Sequence, residues 1–261
     1  MSSRTRALLN PRAAAPAFAF ADRDPSPDLA PFVECHWVAR WSLPAPYEQR
    51  ILACSCVNLV VGTHQPGVHG VTTSCRSVVL EGDGWAVGTR FRPGAFRAFA
   101  GELELAALTD RVVTLPDVFG AAGRTLDLAI HAAGAERARL ALLEDFLRAR
   151  RPALDGDALR VGRIVELARA VPELTQAAAL ASAGGVSIRV LERLFRRYIG
   201  VGPKAVLRRL RVQAAVDCAS SSDDVDWAAL ARRCGYFDQA HLIREFKAAV
   251  GQTPRRYAAR P

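Results

Sequence analysis

The sequence predicts an α+β protein, with a β-rich N-terminal domain followed by helices and an all-α C-terminal domain. Three observations predict this class. Short apolar runs rich in β-branched residues fill the first half of the chain, a helical period follows, and the last hundred residues repeat one helix-turn-helix pattern. A chain of 261 residues, half of them apolar, is long enough for about two domains that each bury a core.

The N-terminal half is predicted to begin with an irregular arm over residues 1–28, where Pro11 and Pro16 interrupt an Ala-rich run. From Leu29 onward, apolar runs bounded by Gly, Pro and Ser predict strands, among them residues 56–62, 77–80 and 85–91. Pro93 and Gly94 end the last of these runs, and residues 95–108 are predicted to form a short helix.

Helical periodicity begins near residue 125 and continues to residue 151, with Gly134 as the expected break. Residues Pro152 to Gly156 are predicted to be the hinge between a regulatory or dimerisation domain, residues 29–152, and a DNA-binding domain, residues 157–261. A further helix should start near Asp157 and stop at Pro172.

Two helix-turn-helix units are predicted in the C-terminal domain, joined by a connecting helix. In the first, an apolar helix over residues 174–181 is followed by a glycine turn and by Ser187, a typical helix cap. In the second, residues 227–234 are followed by Gly235 and by the cap Asp238, which lies 51 residues after Ser187. A tandem repeat of this pattern is a much stronger indication of DNA binding than one unit alone.

The charge distribution supports this interpretation independently. Residues 160–261 contain 18 Arg and Lys against 9 Asp and Glu, whereas residues 1–159 contain 17 of each, so the whole net charge of +9 lies in the C-terminal segment. Of the 35 basic residues 33 are Arg, in both halves, so arginine content alone does not explain the asymmetry. A basic segment beside a neutral one indicates a module that binds a polyanion such as nucleic acid.

Base-contacting residues are expected on the exposed face at the start of each second helix. Arg189 and Arg193 lie four residues apart in the first unit, on one side of the helix, and Arg has the fork geometry that matches guanine. In the second unit the comparable positions hold Gln239, His241 and Arg244. For each of these five residues, contact with a phosphate is the alternative, because most protein–DNA hydrogen bonds go to the backbone.

Phosphate contacts are expected from basic residues around the connecting helix, which begins at Gly202-Pro203. A helix of about 15 residues spans roughly 22 Å and could hold two recognition helices in successive grooves. The predicted phosphate-contacting residues are Arg196, Arg197, Lys204, Arg208, Arg209, Arg211 and Lys247.

Residues 160–257 resemble the DNA-binding domain of the AraC/XylS family of bacterial transcriptional regulators. The residues that carry the resemblance are Ser187, Leu191, Arg193, Phe195, Gly200, Pro203, Leu210, Arg211, Leu230, Ala231, Gly235, Tyr236, Phe246, Lys247, Gly251, Thr253, Pro254 and Tyr257. The resemblance implies site-specific binding of double-stranded DNA near promoters. The sequence departs from the family pattern at Ala240, His241 and the Gly184-Gly185 turn, which makes the base contacts of the second unit the less secure ones.

The N-terminal half resembles, at residues 29–37 and 87–95, a poorly characterised domain that precedes the DNA-binding domain in many actinobacterial members of this family. By analogy this domain senses a small-molecule effector, mediates homodimerisation, or does both. Arg90, Arg92 and Arg97 are candidates for binding an anionic effector, and the alternative is a solvated strand edge with ion-pair partners.

The remaining candidate chemistry involves cysteines. Cys35, Cys54, Cys56 and Cys75 have metal-ligand side chains, but they lack the close pairs of a structural zinc site and are expected to be free thiols that serve packing. Some relatives of the family repair DNA by methyl transfer to a zinc-bound thiolate, and this stays one alternative function; a sequence-indifferent architectural DNA binder is another.

The expected absences follow from the same sequence. No phosphate loop, nucleophile elbow or carboxylate pair stands out, so we expect no catalytic residue, no metal and no cofactor. We expect no signal peptide, no apolar run in the sequence is long enough to span a membrane, and a cytoplasmic location is therefore expected.

Overall fold

The computed structural model of the chain describes residues 9, 18–150, 153, 155–221 and 225–259. It confirms the α+β class, with a six-stranded antiparallel sheet in the N-terminal half and helices after it. The strands are β1 (Phe18–Arg23), β2 (Val33–Ile51), β3 (Asn58–Gly62), β4 (Gly67–His69), β5 (Arg76–Phe91) and β6 (Val112–Val113). Their order across the sheet is β1-β2-β5-β3-β4-β6.

The long strands β2 and β5 pair along their whole length and form the centre of the sheet. The prediction of separate strands at residues 77–80 and 85–91 is wrong, because β5 continues through the intervening glycines. Gly82 has a φ of 54° and sits opposite a register shift in β2 between Leu43 and Tyr47. The irregularity lies in β2, where residues 44–46 stand opposite the single residue Glu81, and β5 itself continues without a hairpin turn.

Strand β1 lies inside the segment predicted to be an irregular arm, so that prediction is wrong for residues 18–23. The strand pairs antiparallel with β2, and Phe18 is buried on the sheet. Its alternating Phe-Ala-Phe-Ala sequence has the period of a strand, but the Pro- and Ala-rich residues before it hid this signal. Except for Leu9, residues 1–17 of the predicted arm lie outside the described residues.

The sheet has two differently covered faces, because successive residues of a strand point to opposite sides. In β3, Leu59 and Val61 face the core beneath the helices, whereas Val60 faces a second cluster with Trp41 and Leu80. The first face is therefore the floor of the main core. The second face carries a cavity described below.

Helices follow the sheet in the N-terminal half. The predicted helix over residues 95–108 is instead two short 3₁₀ helices, Ala95–Phe99 and Leu105–Leu108. They are followed by α1 (Leu115–Phe119), α2 (Ala121–Ala132) and α3 (Glu136–Ala149). Gly134 lies between α2 and α3, which confirms the predicted break.

The C-terminal half is all-helical, as predicted. Its helices are α4 (Gly156–Ala170), α5 (Ala177–Ala183), α6 (Ile188–Tyr198), α7 (Pro203–Ser221), α8 (Trp227–Arg233), α9 (Gln239–Val250) and α10 (Pro254–Ala258). Pro152 and Leu154 of the predicted hinge lie outside the described residues. In the part of the chain that is described, no helix is both long and apolar enough to cross a membrane.

The two halves share one hydrophobic core. Phe91, Phe96 and Phe99 of the N-terminal half belong to the same buried cluster as Leu191 and Phe195 of α6. The 3₁₀ helix Leu105–Leu108 packs so closely on the end of α6 that a side chain at Gly200 would lie 2.6 Å from the Leu105 carbonyl oxygen. The first helix-turn-helix unit is therefore fixed to the N-terminal half by burial of apolar surface.

Candidate nucleic-acid interface

The two turns of the predicted helix-turn-helix units have matching backbone geometry. Gly185 and Gly235 have φ values of 65° and 69°, a left-handed conformation that glycine adopts without steric cost. Val186 donates its N–H to the Ala181 carbonyl at 3.0 Å, and Tyr236 donates to the Ala231 carbonyl at 2.9 Å. These hydrogen bonds close helices α5 and α8 in the same way and turn the chain towards α6 and α9.

The second turn is one residue longer than the first. The two glycines are 50 positions apart, whereas the caps Ser187 and Asp238 are 51 apart, and the additional residue is Phe237. The Phe237 side chain is 91% exposed and stands directly before the start of α9. The sequence analysis missed this residue, although an aromatic residue within a polar turn was the signal that could have found it.

Helix α6 is built as an amphipathic recognition helix. Ser187 caps it by accepting the Val190 N–H at 3.3 Å, and Leu191, Leu194 and Phe195 bury its inner face. The outer face exposes Arg189 and Arg193 one helical turn apart. Within the described residues neither guanidinium takes part in an ion pair, so both are available to an incoming acceptor.

Helix α9 presents fewer free side chains. Asp238 caps it by accepting the His241 N–H at 2.6 Å, and Gln239 and Arg244 are exposed as the base-contact prediction requires. The His241 ring is instead turned into the domain, 5.3 Å from the Tyr236 ring and 3.7 Å from a Glu245 carboxylate oxygen. This geometry argues against a free His241 that reads a base.

Glu245 also binds two of the predicted phosphate contacts. Its carboxylate lies 3.4 Å from Arg208 Nε and 3.3 Å from the Arg211 guanidinium, which also stacks over Tyr236. The Arg211 side chain is only 17% exposed, and it holds α7 to α9. The prediction that Arg211 contacts phosphate is corrected accordingly, whereas Arg208 is still 53% exposed and can reach both Glu245 and solvent.

The structure departs most clearly from the predicted phosphate contacts at Arg209. The prediction placed it on phosphate, but the residue is 8% exposed and points into the N-terminal half. Its guanidinium donates to Ser55 Oγ and to the Thr72 carbonyl. The other predicted phosphate contacts are all exposed, namely Arg196, Arg197, Lys204 and Lys247.

A cavity of about 160 Å³ lies on the second face of the sheet. Its apolar wall includes the aromatic residues Phe18, Phe20, Trp37 and Trp41. Its polar end includes Cys54, Thr72, Arg76 and Arg90. Of the three arginines considered for an anionic effector, only Arg90 lines this cavity, whereas Arg92 and Arg97 donate to backbone carbonyls.

The imidazole of His69 contributes to the same polar end. It is held between the Gln65 carbonyl and the Arg76 guanidinium, each at 2.8 Å. Burial, together with the Arg76 charge, lowers the pKa of His69 to about 4, so the ring is neutral at neutral pH. Among the described residues, His, Cys, Asp and Glu side chains form no group of three or more that could hold a metal ion.

Two family models match the chain in separate segments. Residues 180–260 match the model described as "Helix-turn-helix domain", and residues 22–114 match "Domain of unknown function (DUF6597)". The first match covers α6 to α10, and the second covers most of the sheet from β1 to β6. No match was found among curated proteins.

Several solved structures are similar to parts of the chain. A transcriptional regulator with an AraC-type DNA-binding domain from Chromobacterium violaceum is 26% identical, with 41% of this chain and 97% of that one covered and a TM-score of 0.36. The DNA-binding domain of AdpA, solved with a target DNA, is 28% identical. The match covers 41% of this chain and 92% of that one, with a TM-score of 0.35. ToxT from Vibrio cholerae is 11% identical. The match covers 93% of this chain and 97% of that one, with a TM-score of 0.43.

Proposed function

We propose that this DNA-binding transcription regulator, whose C-terminal part is an AraC-type helix-turn-helix domain, reads its operator chiefly with the outer face of α6. The observation that carries the proposal is the pair Arg189 and Arg193, exposed on a helix whose opposite face is buried. A guanidinium can donate two hydrogen bonds to the O6 and N7 acceptors of guanine in the major groove. A helix inserted by its first turns would bring both side chains to base edges.

The second unit adds a smaller set of contacts in this proposal. Gln239 and Arg244 are the exposed side chains of α9 that can reach bases, and Ala240 offers only contact with a thymine methyl group. Lys204 at the start of α7 and Lys247 on α9, together with Arg196 and Arg197, supply phosphate contacts. Arg208 joins them when DNA competes with Glu245 for its guanidinium.

The test compares the loss of one base contact with the loss of one phosphate contact. Arg193→Ala should weaken binding to a duplex selected by the protein from random DNA by about 1–3 kcal/mol, and should relax the preference at one base pair. Lys204→Ala should weaken selected and scrambled duplexes alike and reduce the salt slope by about one. Affinities are measured by fluorescence anisotropy at several fixed salt concentrations.

Arg124→Ala is the matched control, because Arg124 is an exposed arginine of α2 outside the DNA-binding half. It should leave both affinities unchanged. If Arg193→Ala weakens the selected and the scrambled duplex equally, Arg193 positions the protein on the backbone and the proposed reading face is wrong.

The domain division at residues 150–160 is part of the same proposal, with residues 29–152 regulatory and residues 157–261 bound to DNA. Phe96, Phe99 and Phe195 belong to one core shared by the two halves. Cleavage within 152–156 should leave two fragments that stay together on a sizing column, since separating them would expose a large apolar surface. A basic fragment that elutes alone and stays folded would contradict this expectation.

The cavity supports an effector-sensing role for the N-terminal half. Its aromatic wall and polar end are typical of a small-molecule site, which is mostly apolar with a few polar groups that fix orientation. A binding molecule should raise the midpoint of thermal unfolding, and filling the cavity by Ala39→Phe should abolish that shift. Homodimerisation through this half remains a prediction, tested by sedimentation equilibrium.

A further inference from the structure

The loop between β2 and β3 carries two cysteines, and both of them line the cavity. Cys54 is half-buried and lines the polar end, whereas Cys56 is buried. The Cys56 N–H donates to Cys54 Sγ at 3.3 Å, and the Cys54 N–H donates to Thr72 Oγ1 at 3.0 Å. The sulfur of Cys54 is thus held in a fixed position beside an apolar space.

Charged groups from three elements face this sulfur or its neighbour. Arg90 comes from β5, Arg209 comes from α7, and a carboxylate oxygen of Glu34 of β2 lies 3.8 Å from Cys56 Sγ. The hydrogen bond from the Cys56 side chain, helped by the Arg90 and Arg209 charges, lowers the pKa of Cys54 to about 6 despite burial. The hydrogen bond to Cys54 and burial raise the pKa of Cys56, so the thiolate of the pair belongs to Cys54.

The same loop is the point where the N-terminal half holds the connecting helix of the DNA-binding half. Arg209 of α7 donates to Ser55 Oγ, directly between the two cysteines, and to the Thr72 carbonyl. Thr72 is in turn bound to Cys54 in both directions, since its N–H donates to the Cys54 carbonyl at 3.1 Å. Any displacement of Cys54 therefore moves both acceptors of the buried Arg209 guanidinium.

We propose that Cys54 is a covalent sensing site for small, flat, apolar electrophiles, and that its modification weakens DNA binding by loosening the hold of the loop on α7. The sensing part stands on the cavity and on the groups around the sulfur. The regulatory part rests on the function proposed above.

The chemistry is addition to an electron-poor carbon–carbon double bond conjugated to a carbonyl. The thiolate forms a sulfur–carbon bond at the β-carbon, the π electrons of the double bond move to give an enolate, and the α-carbon takes a proton from water. No oxidant or reductant is consumed. The product is a neutral thioether, so the negative charge next to Arg90 and Arg209 is lost.

The shape of the cavity selects the class of reactant. Its volume of about 160 Å³ is close to that of an apolar cavity known to hold one benzene ring, about 150 Å³. The walls formed by Trp37 and Trp41 suit a flat ring. An aromatic enal or an N-aryl maleimide meets both requirements, whereas a large or highly charged reagent does not.

The first experiment tests the reactive site without DNA. The protein is treated with substoichiometric N-phenylmaleimide at pH 7 and digested, and the adducts are located by mass spectrometry. Cys54 should be labelled roughly tenfold faster than the other half-buried thiols, Cys75 and Cys218, because its thiolate fraction is far larger. Its labelling rate should rise through a midpoint near pH 6, well below that of an ordinary thiol.

Predominant labelling of Cys75 or Cys218, or a midpoint above pH 8, would overturn the proposal. Cys75→Ser and Cys218→Ser should leave the main adduct in place, whereas Cys54→Ser should remove it. Because the peptide map is made on the unaltered protein, the result does not depend on whether Cys54→Ser folds.

The second experiment tests the regulation. The protein labelled at Cys54 should bind its selected duplex about tenfold more weakly than the unlabelled protein. Treated Cys54→Ser should bind as the untreated variant does. Unchanged or tighter binding after labelling would overturn the regulatory part, whereas failure of the unlabelled protein to select any duplex would overturn the proposed function and leave the labelling result intact.

Discussion

The two helix-turn-helix units have the same turn geometry and the same kind of cap, yet they are stabilised differently. The first unit, α5 and α6, completes its core with the phenylalanines of the N-terminal half. The second unit, α8 to α10, belongs to a separate cluster with Val212, Val216 and Ala219 of α7, which also contains the buried residues Leu9 and Leu52 of the N-terminal half. The first unit is therefore held by the main core of the N-terminal half, and the second mainly by the connecting helix, with a smaller contact to the N-terminal half.

The two helix-turn-helix units also differ in whether nearby basic side chains are held by internal ion pairs. The α6 arginines Arg189 and Arg193 are free within the described residues, whereas Glu245 of the second unit holds Arg208 and Arg211 of α7. Helix α6 is also the more strongly amphipathic of the two recognition helices, so part of the difference is local and the rest arises from the contacts of Glu245 with α7. Under the proposed function, Arg189 and Arg193 meet DNA without an internal competitor, whereas Arg208 becomes available to DNA only in competition with Glu245.

The largest expected effect comes from truncating one buried phenylalanine in each of the two cores. Phe195 and Phe246 are both fully buried, and truncation of either to Ala should destabilise its surroundings by about 3–5 kcal/mol. Phe195→Ala should speed amide hydrogen exchange in α6 and also in β5, because they share a core. Phe246→Ala should speed exchange in α8 to α10 and leave the sheet protected. Equal loss of protection in the sheet for both variants would show that the cores are not separate.

Removing either helix cap should have a smaller effect on the free energy of unfolding, and the two caps can be compared directly. Asp238→Ala should cost about 1–2 kcal/mol and Ser187→Ala about 1 kcal/mol or less in the free energy of unfolding. Asp238 accepts the shorter hydrogen bond, 2.6 Å against 3.3 Å, and places a carboxylate at a helix N-terminus. Urea unfolding of both variants provides the measurement, and a larger cost for Ser187→Ala would reverse the expected order.

The smallest expected effect concerns Glu245. Glu245→Gln removes the charge that competes with DNA for Arg208, so affinity for scrambled DNA should rise by roughly 0.3–1 kcal/mol. The salt dependence should become steeper by up to about one unit. Glu192→Gln on α6 is the control, because it removes an exposed carboxylate that pairs with no arginine in the described part of the chain. An identical change of slope in both variants would contradict the role of Glu245.

Much of the fold could be predicted because its signals are local. The caps Ser187 and Asp238, the Gly134 break and the helical period of the second half each depend on residues within one or two turns. The merging of residues 76–91 into one strand could not be predicted, since only the pairing with β2, which takes up the irregularity in its own residues 44–46, shows that β5 continues through its glycines. The 3₁₀ helices over 95–108 likewise depend on their packing against α6.

The exposure of the proposed contact residues could be predicted where helix periodicity decides it, and could not where long-range contacts do. Arg209 lies in a run of basic residues, which predicts a phosphate contact. Its spacing of three from Val206 and from Val212 nevertheless places it in the buried stripe of α7. No local pattern could have shown that its partners would be Ser55 and Thr72.

Helix α7 has 19 residues and is about 28 Å long, and it is the only covalent connection between the two units. Each residue of an α-helix adds about 100° of rotation and 1.5 Å of rise, so the angle between the two recognition helices is encoded in the residue count of α7. A single-residue insertion after Arg209 would rotate the second unit by about 100° around the axis of α7 and shift it along that axis by only about 1.5 Å. We therefore expect such an insertion to disturb the relative rotation of the two recognition helices far more than their separation.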